Sequence, residues 1–237
     1  MPRSLLRILL WIAALPALPA AAIAQDQCVI PGAFPKARVT IPPRGAIVRA
    51  PVDGYTLALS WSPQFCKLHG DEKQSRGQCD APRKFRFILH GLWPDGDGLA
   101  NPQWCRQVPV VPAQTLRDNF CATPSASLMQ HEWAKHGSCM DVDSAQYFRA
   151  GRTAFAALKF PDMDALARDQ TDVGTLVSAM VAANPGMTAD MVRIDVTALG
   201  WLEAMRVCLD RSYRPRACPR GVAGAGANTK IRIWPAW

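Results

Sequence analysis

The sequence of 237 residues contains only four histidines, and it lacks several patterns that define other classes of protein. No two of its eight cysteines follow the C-x-x-C spacing, so neither a redox motif nor a cysteine-based zinc cluster is indicated. Beyond residue 24, no apolar run approaches the roughly 20 residues that a membrane span requires. The chain has no internal repeat and no regular alternation of strands and helices. We therefore expect one soluble domain with no membrane span and no βαβ architecture.

The first 24 residues have the composition of a secretory signal. Arg3 and Arg7 make the start positive, residues 5–22 are apolar, and residues 22–24 fit the small-residue rule for cleavage near Ala24. The alanine-rich composition favours a bacterial periplasmic or secreted protein, with a secreted eukaryotic protein as the alternative. All eight cysteines follow this segment, and an even number in an oxidising compartment predicts four disulfides.

Three of the four histidines lie in two short stretches, residues 87–95 and residues 131–139. If the second stretch is helical, Glu132 and His136 lie on one face because they are four residues apart. Lys135 then approaches this face from the side. This concentration of titratable groups indicates a site that moves protons and holds an anion.

Two other interpretations of the second stretch are less favourable. The zinc-peptidase pattern H-E-x-x-H requires two histidines four residues apart, whereas His131 and His136 are five apart. Lys135 stands at the ligand position, where its ammonium would repel a cation. A solvated helix face with i,i+4 pairs is the ordinary interpretation of Glu132 and Lys135 alone, but it does not account for the flanking tryptophan, glycine and cysteine.

The first stretch has the alternation of a strand. Phe85, Phe87 and Leu89 alternate with the residues at 84, 86 and 88. This period of two predicts a strand over residues 84–90 that ends at His90. Residues 93–96, Trp-Pro-Asp-Gly, predict a turn. A lone histidine at a strand end is usually structural, but the second histidine cluster makes His90 a candidate for catalysis.

Together the two stretches resemble the ribonuclease T2 family of secreted acid endoribonucleases. That family carries an H-G-L-W-P strand motif and an H-E-W-x-K-H-G-T-C helix motif. This chain has His90-Gly-Leu-Trp-Pro94 unchanged and His131-Glu-Trp-Ala-Lys-His-Gly-Ser-Cys139, with Ser138 in place of the usual threonine. Weaker resemblance covers most of residues 55–237.

The resemblance implies an α+β fold with a central antiparallel sheet flanked by helices, and the mixed order of predicted strands and helices favours the same class. The catalytic domain is expected over residues 55–237. Residues 25–54 contain five prolines and predict an extended arm, attached to the domain through Cys28.

The activity implied by the resemblance is cleavage of single-stranded RNA by its own 2′-hydroxyl, without a metal or cofactor, to a 2′,3′-cyclic phosphate. DNA lacks this nucleophile and is not expected to be cut. By matching position, His136 is the base and His90 the acid, although the sequence allows these two labels to be exchanged. Lys135 would stabilise the charged phosphorus centre, Glu132 would support that centre or orient His136, and His131 would bind phosphate.

Other residues receive weaker assignments. Trp93 is expected either to pack beside His90 and limit its movement or to be a core tryptophan, and His69 is interpreted as structural. Plant relatives often have an aromatic pair where Leu128 and Met129 stand, and many have glutamine at the position of Ser60, so the sequence predicts no base preference. RNA is the expected partner, and the protein is expected to be a monomer.

The resemblance also implies disulfides Cys105–Cys139 and Cys208–Cys218. The other four cysteines allow Cys66–Cys79 with Cys28–Cys121, or another pairing.

The basic charge agrees with a polyanionic substrate. The formal net charge is +8, or about +6 without Arg3 and Arg7, and a basic surface attracts polyanions. The four arginines in residues 210–220 form either a solvated loop or a patch that guides RNA. The alternative function is a non-catalytic RNA-binding or signalling protein of the same fold. Such a protein would be expected to lack a motif histidine, and none is missing.

The remaining elements are predicted from caps and periodicity. They are a short helix near residues 114–119, a helix over 127–137 that Gly137 ends, a helix from Ser144 to about Leu158 that buries Tyr147, Phe148 and Phe155, a helix from Thr171 or Asp172 to about Ala183, and strands at 201–209 and 230–234.

Overall fold

A four-stranded antiparallel sheet forms the centre of the protein in the computed structural model, with the strand order β2-β1-β5-β4. Residues 28–236 are described, except residues 33, 35, 36, 81–84, 98, 99 and 220, so the predicted signal lies outside the described residues. The strands are β1 (Val52–Trp61), β2 (Phe87–Gly96), β4 (Val192–Val196) and β5 (Leu202–Leu209), while β3 (Thr171–Asp172) pairs with β6 (Lys230–Ile231) in a second, two-stranded sheet.

Helices lie against this sheet and connect its strands. They are α1 (Ser62–His69), α2 (Arg76–Cys79), α3 (Ala113–Asn119), α4 (Ala126–Lys135), α5 (Ser144–Ala157), α6 (Met163–Arg168) and α7 (Val173–Ala183). The predicted α+β class, with its central antiparallel sheet, is confirmed. None of the helices within the described residues is long and apolar enough to cross a membrane.

Strand β1 is central, and its sequence suits burial on both faces. Leu57, Leu59 and Trp61 are completely buried on one face, and Ala58 is buried on the other. A strand between two neighbours also satisfies its backbone donors and acceptors on both sides, through β2 and β5. It begins at Val52, within the segment predicted as the arm.

Strand β2 contradicts the predicted turn at residues 93–96. The strand continues through Trp93 and Pro94 to Gly96, opposite residues 52–56 of β1. The physical reason is that β2 lies at the edge of the sheet, where a proline that lacks an N–H group leaves no ladder partner unsatisfied.

The predicted helices are present, with small differences at their ends. Helix α4 ends at Lys135 and continues as a 3-10 turn over Gly137–Cys139, so Gly137 follows the stop rather than making it. Helix α5 begins after Asp143, not at the expected cap Ser144, because Asp143 and Gln146 exchange the two hydrogen bonds of a capping box. Helix α7 is capped by Asp172, one of the two candidates.

Four disulfides connect the described segments: Cys28–Cys121, Cys66–Cys79, Cys105–Cys139 and Cys208–Cys218. Two of them are the pairs implied by the resemblance, and the other two select one of the open alternatives. The arm is held near its start by Cys28 and near its end by a backbone bridge between Val48 and Gln103. The first attachment lies just before the start of α4. The second lies next to Trp104, which bonds to the last residue of α4.

Helix α5 fixes the strand that carries the first motif. The Tyr147 hydroxyl donates a hydrogen bond of 3.0 Å to the Leu92 carbonyl oxygen, and both groups are buried. Gly151 allows a close approach, since a Cβ there would lie 3.2 Å from Leu89 and 3.4 Å from Leu92. The predicted burial of Tyr147, Phe148 and Phe155 is confirmed.

Replacing Tyr147 with phenylalanine is expected to lower the free energy of unfolding by about 1–2 kcal/mol, because the buried Leu92 carbonyl loses its hydrogen-bond donor. Chemical denaturation followed by tryptophan fluorescence measures the change. An unchanged unfolding midpoint would show that the hydroxyl does not hold this strand.

Candidate active site

The two histidine stretches meet where β2 passes the last turns of α4. In the pairing of β1 with β2, Leu59 opposes Leu89 and Ala58 opposes Gly91, so His90 is the extra residue of a β-bulge. A bulge changes the direction of the side chain at that point. Backbone and side-chain hydrogen bonds hold the bulged segment: Leu89 donates to the Ala122 carbonyl, and the Thr123 hydroxyl donates to the Leu89 carbonyl.

The carboxylate of Glu132 lies at the centre of the cluster, and the residue is only 1% exposed. Its Oε2 accepts a hydrogen bond of 2.7 Å from Trp93 Nε1. Its Oε1 lies 3.5 Å from His90 Nε2, and Oε2 lies 4.0 Å from His136 Nε2. Burial alone raises the pKa of this carboxyl, but contact with His90, the charges of both histidines and the Trp93 hydrogen bond together lower it below its usual value.

Gly91 makes room for this carboxylate. A Cβ atom at position 91 would lie 1.9 Å from Glu132 Oε2 and 2.9 Å from Trp93 Nε1. Both distances are shorter than real Cβ contacts allow. The glycine of the first motif is therefore required by the close approach of Glu132 from the second.

His136 is the buried histidine of the cluster, with only 10% of its side chain exposed. Its ring stacks on Trp93 with centroids 5.3 Å apart and planes inclined by 22°. Burial lowers the pKa of His136 to about 4, and nearby positive charges, of which Lys135 is the strongest, act in the same direction against the attraction of Glu132. The imidazole is therefore neutral at neutral and mildly acidic pH, with a free lone pair for a proton.

His90 is the accessible histidine, with 37% of its side chain exposed. Its Nδ1 lies 3.0 Å from the Ser60 hydroxyl oxygen, and its ring meets Trp93 edge to face at 5.6 Å. Trp93 thus contacts both imidazoles and the carboxylate. Its position fixes the relative placement of the three titratable groups.

His131 and Lys135 lie on the adjacent side of α4. The His131 ring meets Trp104 edge to face at 5.4 Å, and burial lowers the pKa of His131. Lys135 is half-buried and forms no ion pair within the described part of the chain. Its ammonium is therefore available to an anion beside the cluster.

A loop before α3 is attached to the end of α4 and completes this side of the site. The Trp104 N–H group donates 2.7 Å to the Lys135 carbonyl, with Trp104 in the left-handed backbone region at φ 57°. The Cys105 N–H group donates 3.0 Å to the Ser138 hydroxyl, next to the disulfide Cys105–Cys139.

The sequence predicts most of the residues in the cluster but not all of their contacts. His90, Trp93, Glu132 and His136 come together, with His131 and Lys135 beside them, whereas His69 lies elsewhere and pairs with Glu72 at 2.8 Å. In the sequence, Ser60 is only a departure from the plant pattern, and no local signal indicates Trp104. Their contacts depend on strand register and on the Cys105 disulfide, which no local pattern encodes.

These features define a disulfide-stabilised α+β domain in which two imidazoles surround one buried carboxylate. Residues 52–170 match the model of the Ribonuclease T2 family. The chain belongs to the ribonuclease T2 family.

Curated relatives agree with this membership. A probable ribonuclease of Haemophilus influenzae is 34% identical over 185 residues, which cover 73% of this chain and 64% of the relative. A ribonuclease of Aeromonas hydrophila is 40% identical over 96 residues, which cover 40% of this chain and 41% of the relative. The chain thus spans less than two thirds of the length of each of these proteins.

Solved structures share the fold. An RNase-related protein from Calystegia sepium superposes with a TM-score of 0.61 at 20% identity, covering 76% of this chain and 96% of that one. RNase NT in complex with 5′-AMP has a TM-score of 0.60 at 19% identity, covering 79% of this chain and all of the other.

A Gly91→Ala substitution is expected to displace the Glu132 carboxylate and break its hydrogen bond with Trp93. The free energy of unfolding should fall by about 1–3 kcal/mol, as is usual for overpacking. The indole N–H proton of Trp93 should move upfield in a proton NMR spectrum as its hydrogen bond lengthens. Gly221→Ala is the matched control, because a Cβ at Gly221 meets nothing within 4 Å. An unshifted Trp93 signal in the Gly91 variant would contradict the assigned contact.

Proposed function

We propose that this protein is an endoribonuclease that cleaves single-stranded RNA by metal-independent transesterification. The observation that carries the proposal is the pair of imidazoles at 3.5 and 4.0 Å from the two oxygens of the buried Glu132 carboxylate. The reaction requires one group that accepts a proton and one that donates a proton, and histidine serves in either role near neutral pH. Family membership and relatives named as ribonucleases support the substrate class.

In the proposed reaction, His136 removes the 2′-hydroxyl proton and the 2′ oxygen attacks the adjacent phosphorus. The P–O5′ bond breaks, and His90 protonates the departing 5′ oxygen, which leaves a 2′,3′-cyclic phosphate. The low pKa of His136 supports the base role, because the ring is neutral before the reaction. Glu132, at 4.0 Å, would stabilise the imidazolium that forms. The accessibility of His90 supports its role as the acid that reaches the leaving group.

Lys135 and His131 bind the phosphate of the RNA in the proposed reaction. Lys135 stabilises the negative charge that grows on the non-bridging oxygens, and its lack of an ion pair among the described residues supports this role. His131 binds phosphate beside it and Trp93 limits the movement of both catalytic imidazoles. The structure of RNase NT with 5′-AMP is a case in which a protein of this fold holds a nucleotide.

The setting of the reaction is part of the proposal. We assign residues 55–237 to the catalytic domain, residues 25–54 to the arm, and the N-terminal 24 residues to a signal that directs the protein to the periplasm or the exterior. The four disulfides support an oxidising compartment. A monomer suffices, since one chain supplies every group in the cluster.

The alternative is a non-catalytic RNA-binding protein of the same fold. It does not explain why both histidines lie against one buried carboxylate, with Lys135 on the same helix beside them. RNA binding alone needs positive charge, not a neutral buried imidazole beside a carboxylate.

We expect the purified, oxidised protein to cleave a labelled RNA in excess EDTA and to leave cyclic-phosphate ends. His136→Ala should lower kcat by about 10²–10⁴, the usual contribution of one acid–base group. Gel electrophoresis and end-group analysis by mass spectrometry provide the measurement. A DNA of the same sequence should remain intact because it lacks the 2′-hydroxyl.

The control for the His136 variant is His69→Ala, which removes a partly exposed histidine at the end of α1, outside the cluster. It should keep wild-type activity. If folded wild-type protein produced no cleavage between pH 4 and 8, the enzyme proposal would fail and the RNA-binding alternative would take its place.

The pH dependence follows from the protonation states in the proposed mechanism. His136 must be neutral to accept a proton, so kcat/KM should rise with pH through a midpoint near 4, the pKa to which burial lowers this group. Activity should fall again as the pH rises further, because the acid must begin the reaction with its proton and because His131, whose pKa burial lowers, loses the charge with which it would bind phosphate. Initial rates in buffers of constant ionic strength test this profile. A flat profile up to pH 9 would contradict it.

A further inference from the structure

A cavity of about 800 Å³ lies between the N-terminal arm and the first turn of α4. The arm contributes Phe34 and residues 37–41 to its wall, and the segment after α1 contributes Lys73, Gln74, Arg76 and Gly77. The opposite wall consists of residues 124–127 and Gln130. None of the residues assigned to the catalytic cluster lines it, so it is a separate feature of the molecule.

The charge at the cavity has one sign. Arg38, Lys73 and Arg76 line it and are exposed, and the lining contains no aspartate or glutamate. None of these three side chains forms an ion pair among the described residues. Three unpaired cations at one concave surface attract an anion and raise its local concentration.

Hydrogen-bond donors lie on the same wall. The N-terminus of α4 presents backbone N–H groups at Ala126 and Ser127, while the Ser125 side chain caps only the Leu128 N–H group. Gln130 is 1% exposed, and its Oε1 accepts from the Val111 N–H group, but its Nε2 has no partner in the described structure. A buried donor without an acceptor costs free energy, which a ligand oxygen at this wall would relieve.

An aromatic pair forms part of the wall next to these polar groups. Phe34 meets Phe120 edge to face with centroids 5.3 Å apart, and both line the cavity. Aromatic side chains beside a cationic groove are the combination that binds the bases and phosphates of a single strand.

The cavity lies next to the catalytic cluster along the helix. Ser127 lines the cavity and precedes His131 by four residues, so the two lie on one face of α4, about 6 Å apart along its axis. A strand whose scissile phosphate contacts His131 and Lys135 would therefore continue toward the arm.

We propose that the cavity binds a nucleotide unit of the RNA strand outside the cleaved linkage, which rests on the proposed ribonuclease function. Its phosphate contacts Lys73, Arg76 and Arg38, and its base lies against Phe34, the half-buried member of the aromatic pair. The arm, which Cys28–Cys121 holds beside α4, is thus part of the substrate-binding surface.

The test compares two double variants, each of which removes two positive charges, at different places on the protein. Lys73→Gln with Arg76→Gln removes two cations of the cavity, and Lys159→Gln with Arg149→Gln removes one exposed lysine and one exposed arginine elsewhere. Affinity is measured by fluorescence anisotropy with an octanucleotide that carries 2′-O-methyl groups, which block the nucleophile and prevent cleavage. Unchanged thermal unfolding verifies that both variants are folded.

We expect the cavity variant to bind the octanucleotide about tenfold more weakly than wild type, since lost phosphate contacts reduce affinity. The matched variant should change affinity less than threefold. Equal weakening in both variants would attribute the effect to net charge and would overturn the proposal, as would no weakening in either.

A second measurement separates a free nucleotide from a unit of a strand. 5′-AMP is titrated into ¹⁵N-labelled wild-type protein, and the amide NMR signals of Gly77, Ala126 and Ser127 report whether it binds in the cavity. If these signals shift while the cavity variant binds the octanucleotide normally, the cavity takes free nucleotides and the RNA subsite is refuted. Because binding does not need cleavage, a weakened cavity variant of a protein that cuts no RNA would refute the enzyme proposal and leave the subsite standing.

Discussion

The buried carboxylate of Glu132 is the interaction on which the rest of the site depends. An ionised carboxylate removed from water costs several kcal/mol unless charges and donors compensate it. Here the Trp93 N–H group donates to one oxygen, His90 lies 3.5 Å from the other, and Gly91 supplies the space. The two motifs are therefore one structural unit, because neither could bury its polar groups without the other.

A bulge, a buried hydrogen bond and a disulfide each position part of the backbone around this carboxylate. The bulge at His90 turns the imidazole out of the strand ladder, and hydrogen bonds of Leu89 with Ala122 and Thr123 hold the segment before it. The Tyr147 hydroxyl holds the strand from α5, while Trp104 and the disulfide Cys105–Cys139 hold the end of α4. Each histidine thus stands on an element that is fixed from two sides.

The sequence predicted what depends on local pattern and missed what depends on tertiary context. Alternating apolar residues identified β2, and the spacing of Glu132 and His136 identified one helix face. The same reasoning was wrong at residues 93–96, since turn propensity does not reveal that a strand lies at a sheet edge, where Pro94 is tolerated. The contact between Ser60 and His90 requires the register of two strands, and the cavity requires the path of the arm.

The Glu132 carboxylate contacts two histidines whose environments differ. This difference supports different roles for them in proton transfer. His136 has 10% of its side chain exposed and His90 has 37%, although both contact Glu132. Burial disfavours the charged form of an imidazole, so His136 begins neutral and suits the acceptance of a proton. His90 reaches solvent from the bulge and suits the delivery of a proton to a departing group. The sequence allowed these labels to be exchanged, and the deeper burial of His136 supports its assignment as the base.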